Sequence, residues 1–600
     1  MKYFAIGRQS RNYVTLKAAT LMAPDSIFSF ASFELDIAAY ELRQNGQAVR
    51  LERRPMDLLI LLVERRRQLV TRGEIVERLW APGVFVDVET GLNTAIRKVR
   101  HVLQDPSDAP VFIETVPGKG YRFIAEVTLI GARGEAGITI AVLPFDNLGA
   151  DPEREYLADG LTEETIASLG QIDPERLSVI GRTSVMAYKR THKTLAEIGR
   201  ELGAAYLIEG SVRTEGARLR ITPRLIRVED QVQMWSTSYD SEPSSLFAFQ
   251  RELSTAIAEQ IRLRLSPERL NALSRPKTKD PEAYDYYLRG RYFWNQLSPA
   301  TTRRAMEYYA RATERDPEYA LAWSGMADAF ASSPITADQA PLKVAAQARN
   351  AAARAVAADP NSPDAQTSAG LVHLWLDWDW PAAALAFRRA IAIDPSYSMA
   401  HRMLGIVLAH LGVHVESRSA FRRARELDPL SATHHALSAQ GAFAARDFAA
   451  AAQFAQQAVA IDPEFWVGYF QLGQAHERLG NREEAFAALN QASRFSGGNS
   501  KPTAIRGYMF GKMGKIKEAQ DVLDTLEAVS NERYIPPFAA ALVHVGLDQA
   551  AAAFQHLERA LDTRDVHLMF LPIDAKWDGL RPDPRFQSVL ARCAFSKESE

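Results

Sequence analysis

The chain has 600 residues, too many for one hydrophobic core, so about three or four domains are expected. With 47% hydrophobic and 24% charged residues it has an ordinary soluble composition, and a formal net charge of -2 excludes a polycation, so any nucleic-acid surface has to be a local patch. A single cysteine, Cys593, excludes an internal disulfide framework and a cysteine-rich metal site, and fits a reducing cytoplasm.

Residues 1–28 carry Lys2, Arg8, Arg11 and Lys17 with no acid before Asp25. No continuous apolar core follows, so they read as a disordered leader rather than a signal peptide, with Met22 as an alternative start. Elsewhere the longest apolar runs, 58–63 and 138–145, fall far short of the roughly 18 residues that cross a bilayer. A cytoplasmic protein without a membrane partner is expected.

Residues 29–128 read as one module. Runs at 28–35 and 48–51 suit short strands on either side of Gln44-Asn45-Gly46, a hairpin turn signal. Pro55 suits the first turn of a helix whose apolar face is Met56, Leu59, Ile60, Leu62 and Val63. Thr71, with Glu74 at capping-box spacing, opens a second helix running to Trp80. The run Arg65-Arg66-Arg67 lies between the two helices; it suits phosphate contacts, a protein neighbour or a solvated helix end.

The third helix spans about 90–104. On a wheel of roughly 100° per residue Leu92, Ile96, Val99 and Leu103 share a core stripe, while Thr90, Asn93, Thr94, Arg97, Lys98 and His101 fall on the opposite side. That polar face holds no acid and combines cations with amide and hydroxyl groups, the chemistry of phosphate and base-edge contacts in a major groove. Taken alone it also suits a solvated helix face. Residues 112–116 and 120–123 then read as strand, glycine turn and strand, with Lys119 at the tip between Gly118 and Gly120.

A leading small sheet, three helices, the IRKVR core of the third helix and the ETVPGKGYRF ending together resemble the OmpR/PhoB-type winged-helix domain over about a hundred residues. The resemblance implies double-stranded DNA as partner. It puts Arg97, Lys98 and Arg100 at helix positions used for DNA contacts, Asn93 and Thr94 near base edges, and Lys119 and Tyr121 at the backbone or minor groove, with the wing's affinity resting on Lys119 and Arg122. Pro117 departs from the family, which often has a cation there. Residues 31–130 hold fourteen Lys/Arg and fourteen Asp/Glu, so binding has to rest on sidedness of charge.

A polar linker (129–137) precedes a second module at 138–270. An apolar strand at 138–145, a helix at 160–171, a strand at 177–188, a helix at 195–202 and strands at 206–213, 218–228 and 232–239 describe α/β units followed by an antiparallel meander. The stretch 205–213 with Met234-Trp235 resembles the TolB amino-terminal or FlgO-like domain. Phosphate-cradling loops, zinc-ligand spacing and a nucleophile elbow are all missing from the sequence. Asp146, Asp159, Glu163 and Glu164 suit turns and helix starts better than catalysis, so no enzyme, cofactor or metal is expected.

Asp-Pro recurs at 316, 359, 394, 428 and 462, the last three intervals being 35, 34 and 34 residues. A period of that size means stacked helical hairpins, none of which buries its own apolar face. With Phe387 and Ala390 before Pro395, and Phe421 and Ala424 before Pro429, the pattern resembles the tetratricopeptide repeat. Some six to eight units fit 281–565, followed by a cap or tail at 566–600. The run 374–380, with three tryptophans, reads as packing rather than a ligand box, and His410 with His414 falls short of a metal site.

The expected fold class is multidomain: an α+β winged helix-turn-helix, a central α/β domain and an all-α repeat superhelix. The expected function is a bacterial, sequence-specific transcription regulator, a soluble counterpart of CadC-like regulators, whose repeat groove receives a protein, peptide or small-ligand signal. That layout adds RNA polymerase and a second copy on DNA as partners. The alternative is a repeat scaffold whose winged helix contacts protein.

Overall fold

The structure is a computed structural model. It describes residues 27–595 except 32, 37–40, 45–46, 50, 80–87, 109, 126, 130–137, 150, 174–175, 216–217, 242–245, 262, 264–276 and 297–298. Residues 1–26 of the expected leader, Asn45-Gly46, Trp80 and linker residues 130–137 lie outside the described residues. The chain forms two compact units, 1–137 and 138–600.

In the first unit, β1 (Ile27–Phe30), β2 (Phe33–Asp36), β3 (Glu41–Gln44) and β4 (Gln47–Val49) form an antiparallel meander that β8 (Thr128–Leu129) extends beside β1. The expected single strand over 28–35 is thus a hairpin, turned at Ala31 with φ 51°, a left-handed conformation that no glycine announces. Helices α1 (Arg53–Glu64), α2 (Arg72–Leu79) and α3 (Val88–Leu103) follow, with β5 (Val70–Thr71) between the first two. β6 (Ile113–Val116) and β7 (Gly120–Phe123) pair with β5 in the order β5-β7-β6. Leu92, Ile96, Val99 and Leu103 are buried with Phe30, Leu59 and Phe123 in one core, as the helical wheel predicts.

In the second unit, β9 (Ile138–Val142) pairs in parallel with β11 (Leu177–Val179) and β12 (Tyr206–Glu215). The short β10 (Asp146–Asn147) adds to β12, after which β13 (Arg218–Arg227), β14 (Gln233–Ser236) and β15 (Tyr239–Ser241) make the antiparallel part. Helices α4 (Glu155–Gly170), α5 (Arg182–Met186), α6 (Leu195–Leu202) and α7 (Leu246–Gln260) connect or flank these strands. The expected strand over 177–188 ends at Val179, because Gly181 opens α5. α6 matches its expected bounds and starts with a capping box, Thr194 accepting from the Glu197 amide and Glu197 from that of Thr194.

Among the described residues, sixteen α-helices between Pro281 and Asp562 then pair as eight hairpins. The Asp-Pro period has a physical cause. At Asp359, Asp394 and Asp462 the backbone amide closes the preceding helix on an alanine carbonyl four residues back, and the carboxylate accepts from the amide two residues on. Six residues after the proline a side chain donates back to its carbonyl: Trp323 to Pro317, Gln366 to Pro360, His401 to Pro395 and His435 to Pro429, at 2.9 to 3.0 Å. His401 and His435 are therefore turn-holders.

The middle sheet and the repeats share a core, in which Phe145, Leu161 and Leu253 meet Tyr284, Leu288 and Tyr309. Polar bonds add to it: Glu163 pairs with Arg291 and, at 3.3 Å, with Arg182, while the Ser184 amide donates to Asp428 at 2.7 Å. The array also curls onto itself. Asp338 accepts from the Ser500 amide at 2.7 Å, Arg564 donates to the carbonyls of Leu376 and Asp377, and Arg446 pairs with Asp578 at 2.8 Å. Trp380 donates to the Cys593 carbonyl and stacks on Phe595, so the tryptophan run packs against the chain's own end.

Candidate nucleic-acid interface

The third helix is fixed from both ends. At its C-terminal end buried Asp105 accepts from the amides of Val111, Phe112 and Ile113 at 2.6 to 2.9 Å, clamping the start of β6. Arg100 donates to the Ile113 carbonyl at 2.6 Å and the Thr115 hydroxyl at 3.0 Å, and only 13% of its side chain is exposed. This guanidinium holds the helix to the wing and is turned away from an outside ligand.

At the other end, Arg72 donates to the Tyr121 hydroxyl at 3.2 Å and to Asn93 Oδ1 at 3.1 Å, and Tyr121 donates to the same oxygen at 3.4 Å. Tyr121 itself is buried. The cluster orients Asn93 from α2 and β7 at once. Arg72 and Asp105 escaped the sequence reading: one follows the capping Thr71 and the other ends the helix, positions that carry no motif of their own.

The wing is a tight turn. Lys119 N donates to the Val116 carbonyl at 3.0 Å across Pro117 and Gly118, whose φ is 71°. Proline followed by a left-handed glycine is the composition of a type II turn, which accounts for Pro117. Gly120 is compelled by packing, since a Cβ there would sit 2.0 Å from the Val70 carbonyl oxygen. The Arg72 amide bonds Lys119 O at 3.1 Å, and the capping box Thr71/Glu74 starts α2 beside it.

The remaining expected residues separate clearly. Thr90, Asn93, Arg97 and His101 are exposed along α3, Thr94 is half-buried among them, and Lys119 is exposed at the wing tip. Arg97, His101 and Lys119 have no ion pair among the described residues. Lys98 pairs with Glu52 at 2.6 Å, an exposed contact that stabilises by about 0–1 kcal/mol and yields readily to a phosphate. Arg122 pairs with Glu114 across the hairpin at 2.9 Å. In the arginine run, Arg65 pairs with Glu74 at 3.1 Å and Arg66 lies over the Phe28 ring.

Comparison with known proteins agrees with this layout. A family model for the C-terminal domain of transcriptional regulatory proteins matches residues 46–123, and one for the second domain of HilA/YgeH-like transcriptional regulators matches 136–257. Tetratricopeptide-repeat models match 345–398, 379–432 and 468–497. The chain is 38% identical over 200 residues to a putative adenylate cyclase 3 of Rhizobium meliloti, covering 33% of this chain and 32% of that protein. It is 22% identical over 411 residues to the transcriptional regulator HilA of Salmonella typhimurium, covering 68% of this chain and 71% of that one. A cholera toxin homolog transcriptional activator of Vibrio parahaemolyticus is 35% identical over 86 residues, 14% of this chain and 30% of that protein. In chain order, the protein carries an OmpR/PhoB-type DNA-binding domain, a HilA-like regulator domain and a tetratricopeptide-repeat array.

Proposed function

We propose that the chain is a sequence-specific DNA-binding transcription regulator whose repeat array receives the signal. The observation that carries this is the exposed side of α3, which presents Asn93, Arg97 and His101, together with the exposed wing-tip Lys119. Asn93 is held by Arg72 and Tyr121 and suits a base edge, while Arg97, Lys98 and Lys119 suit phosphates. Arg100 and Tyr121 act by positioning. RNA polymerase and a second copy on adjacent DNA sites are the further partners this reading brings, and the cytoplasm is the compartment it requires.

We infer no catalytic role despite the cyclase in the name of one relative, which matches this chain over a third of its own length. The carboxylates of α4 serve structure: Asp159 pairs with Lys189, and Glu163 with Arg182 and Arg291.

Selection of genomic fragments by the full chain at roughly 150 mM salt, where nonspecific binding is weakened, should enrich a recurring direct or inverted repeat. Replacing Arg97 and Lys98 by alanine should weaken binding and lower the slope of log affinity against log salt by about 2, the loss of two phosphate contacts. An unchanged slope would overturn the assignment and favour a scaffold whose winged helix contacts protein.

A further inference from the structure

Inside the second unit, residues of the repeats, of α4 and the start of α5, and of the segment after the last hairpin line an open cavity of about 1130 Å³. This is close to the upper end of small-molecule sites, roughly 300–1000 Å³. Phe570 and Ile573, from the segment after the last hairpin, form part of its wall. Leu371, Trp375, Met403, Ile406, Leu437 and Phe470 supply apolar surface.

The carboxylates on the wall are committed. Glu163 is paired with Arg182 and Arg291, Asp338 accepts from the Ser500 amide, Asp428 from Ser184, Asp364 from the Tyr397 hydroxyl at 3.0 Å, and Asp328 from the Ser368 hydroxyl at 2.6 Å. Lys501 lacks a carboxylate partner among the described residues, but it donates to the Ile335 carbonyl at 2.6 Å and lies over the Trp466 ring. Arg402 is different. It lines the cavity with no ion pair among the described residues, and its Nε has no hydrogen-bond partner. Its one hydrogen-bond neighbour among the described residues is His434 Nδ1 at 3.5 Å. Burial holds that imidazole neutral, its pKa lying well below the ordinary value, and lowers the Arg402 pKa as well. The half-buried guanidinium feels the carboxylates of Asp428 and Asp328 beyond ion-pair distance, and a bound carboxylate with two oxygens for its fork would give it the direct partner it lacks among the described residues.

We propose that this cavity binds a small organic carboxylate with an apolar body, its carboxylate on Arg402 and its body against the Trp375–Leu437 side of the wall. This rests on the reading of the repeat array as the sensing part, and names the class of molecule sensed.

Calorimetric titration of the full chain with phenylpropionate and octanoate, each against its amide, tests the proposal. The acids should bind one per chain at millimolar concentration or below, and the amides about tenfold or more weakly, as expected for loss of a charged hydrogen-bond pair. Arg402→Met should abolish the preference for acid, while Arg402→Lys should keep much of it. Equal binding of acid and amide, retention of the preference in Arg402→Met, or no binding by either acid overturns the proposal. So does a peptide that binds where both acids fail. If Arg402→Met does not fold by circular dichroism, the acid–amide comparison in the unaltered chain and Arg402→Lys still decide. These readouts do not involve DNA. Failure here with fragment selection intact rejects the ligand and leaves the regulator standing, and the reverse result does the opposite.

Discussion

Arg97 and Arg100 lie three residues apart on α3, and one is exposed while the other is held by the wing. Replacing Arg100 by alanine removes donors to the Ile113 carbonyl and Thr115, and leaves Asp105 without its nearest cation, 3.8 Å away. The expected cost is roughly 1–3 kcal/mol of stability in the first unit, read by urea denaturation. The salt slope of DNA binding should stay unchanged, in contrast to the Arg97/Lys98 variant. A second test concerns Asp328. Burial, with lesser help from the charge of Asp364, pushes its carboxyl up to about 7. Its folded value lies above the unfolded one, so the stabilising proton is fully present below the unfolded value and lost as pH rises through about 7. Asp328→Asn should therefore stabilise the chain by roughly 1–3 kcal/mol near pH 8, with the gain fading toward pH 4; a gain that grows on acidification would contradict the assignment.

Among the elements, the Asp-Pro turns give the sharpest contrast. Among the described residues Asp359 bonds only its own turn, through the Asn361 amide at 3.1 Å, whereas Asp428 reaches out of the array to the amide and hydroxyl of Ser184. Asp359→Ala should cost about 1 kcal/mol, the loss of a cap, and Asp428→Ala roughly 2–4 kcal/mol, because it orphans buried donors. Hydrogen exchange should show the second change spreading into α5 and β11, and equal costs would refute the distinction. These turns also mark what was legible beforehand. The Asp-Pro period, the α3 core stripe and the Thr71/Glu74 box are local patterns, readable because a repeat, a helical face and a cap each have a fixed spacing. The β1–β2 turn was hidden because Ala31 supplies it without glycine, and α5 because Val185 and Tyr188 continue an apolar run that looks like strand. Arg100 sits at the border between the two faces of α3, where angle alone cannot assign it. Arg402 and the cavity depend on residues brought together from distant hairpins, a level at which spacing in sequence carries no information.

At the scale of the whole chain, the core of the first unit is built from residues 28–127, and the cores of the second from residues beyond 138. Each unit thus has apolar surface of its own to lose on unfolding, whereas the middle sheet and the repeats share one core and should melt together. Scanning calorimetry of the full chain should show two transitions. Gly120→Ala, which drives a methyl into the Val70 carbonyl, should lower or abolish the first and leave the second in place. A specific DNA site at about a hundredfold its dissociation constant contributes roughly 2.7 kcal/mol to the state that binds it. For a unit near 100 residues that raises the midpoint by about 10 °C or more. A ligand in the cavity should shift the other transition by the same relation. One merged transition, or a Gly120→Ala effect on both, would mean that the units unfold as one body. In that case occupancy of the cavity would reach the winged helix through stability alone, with no bistable element required.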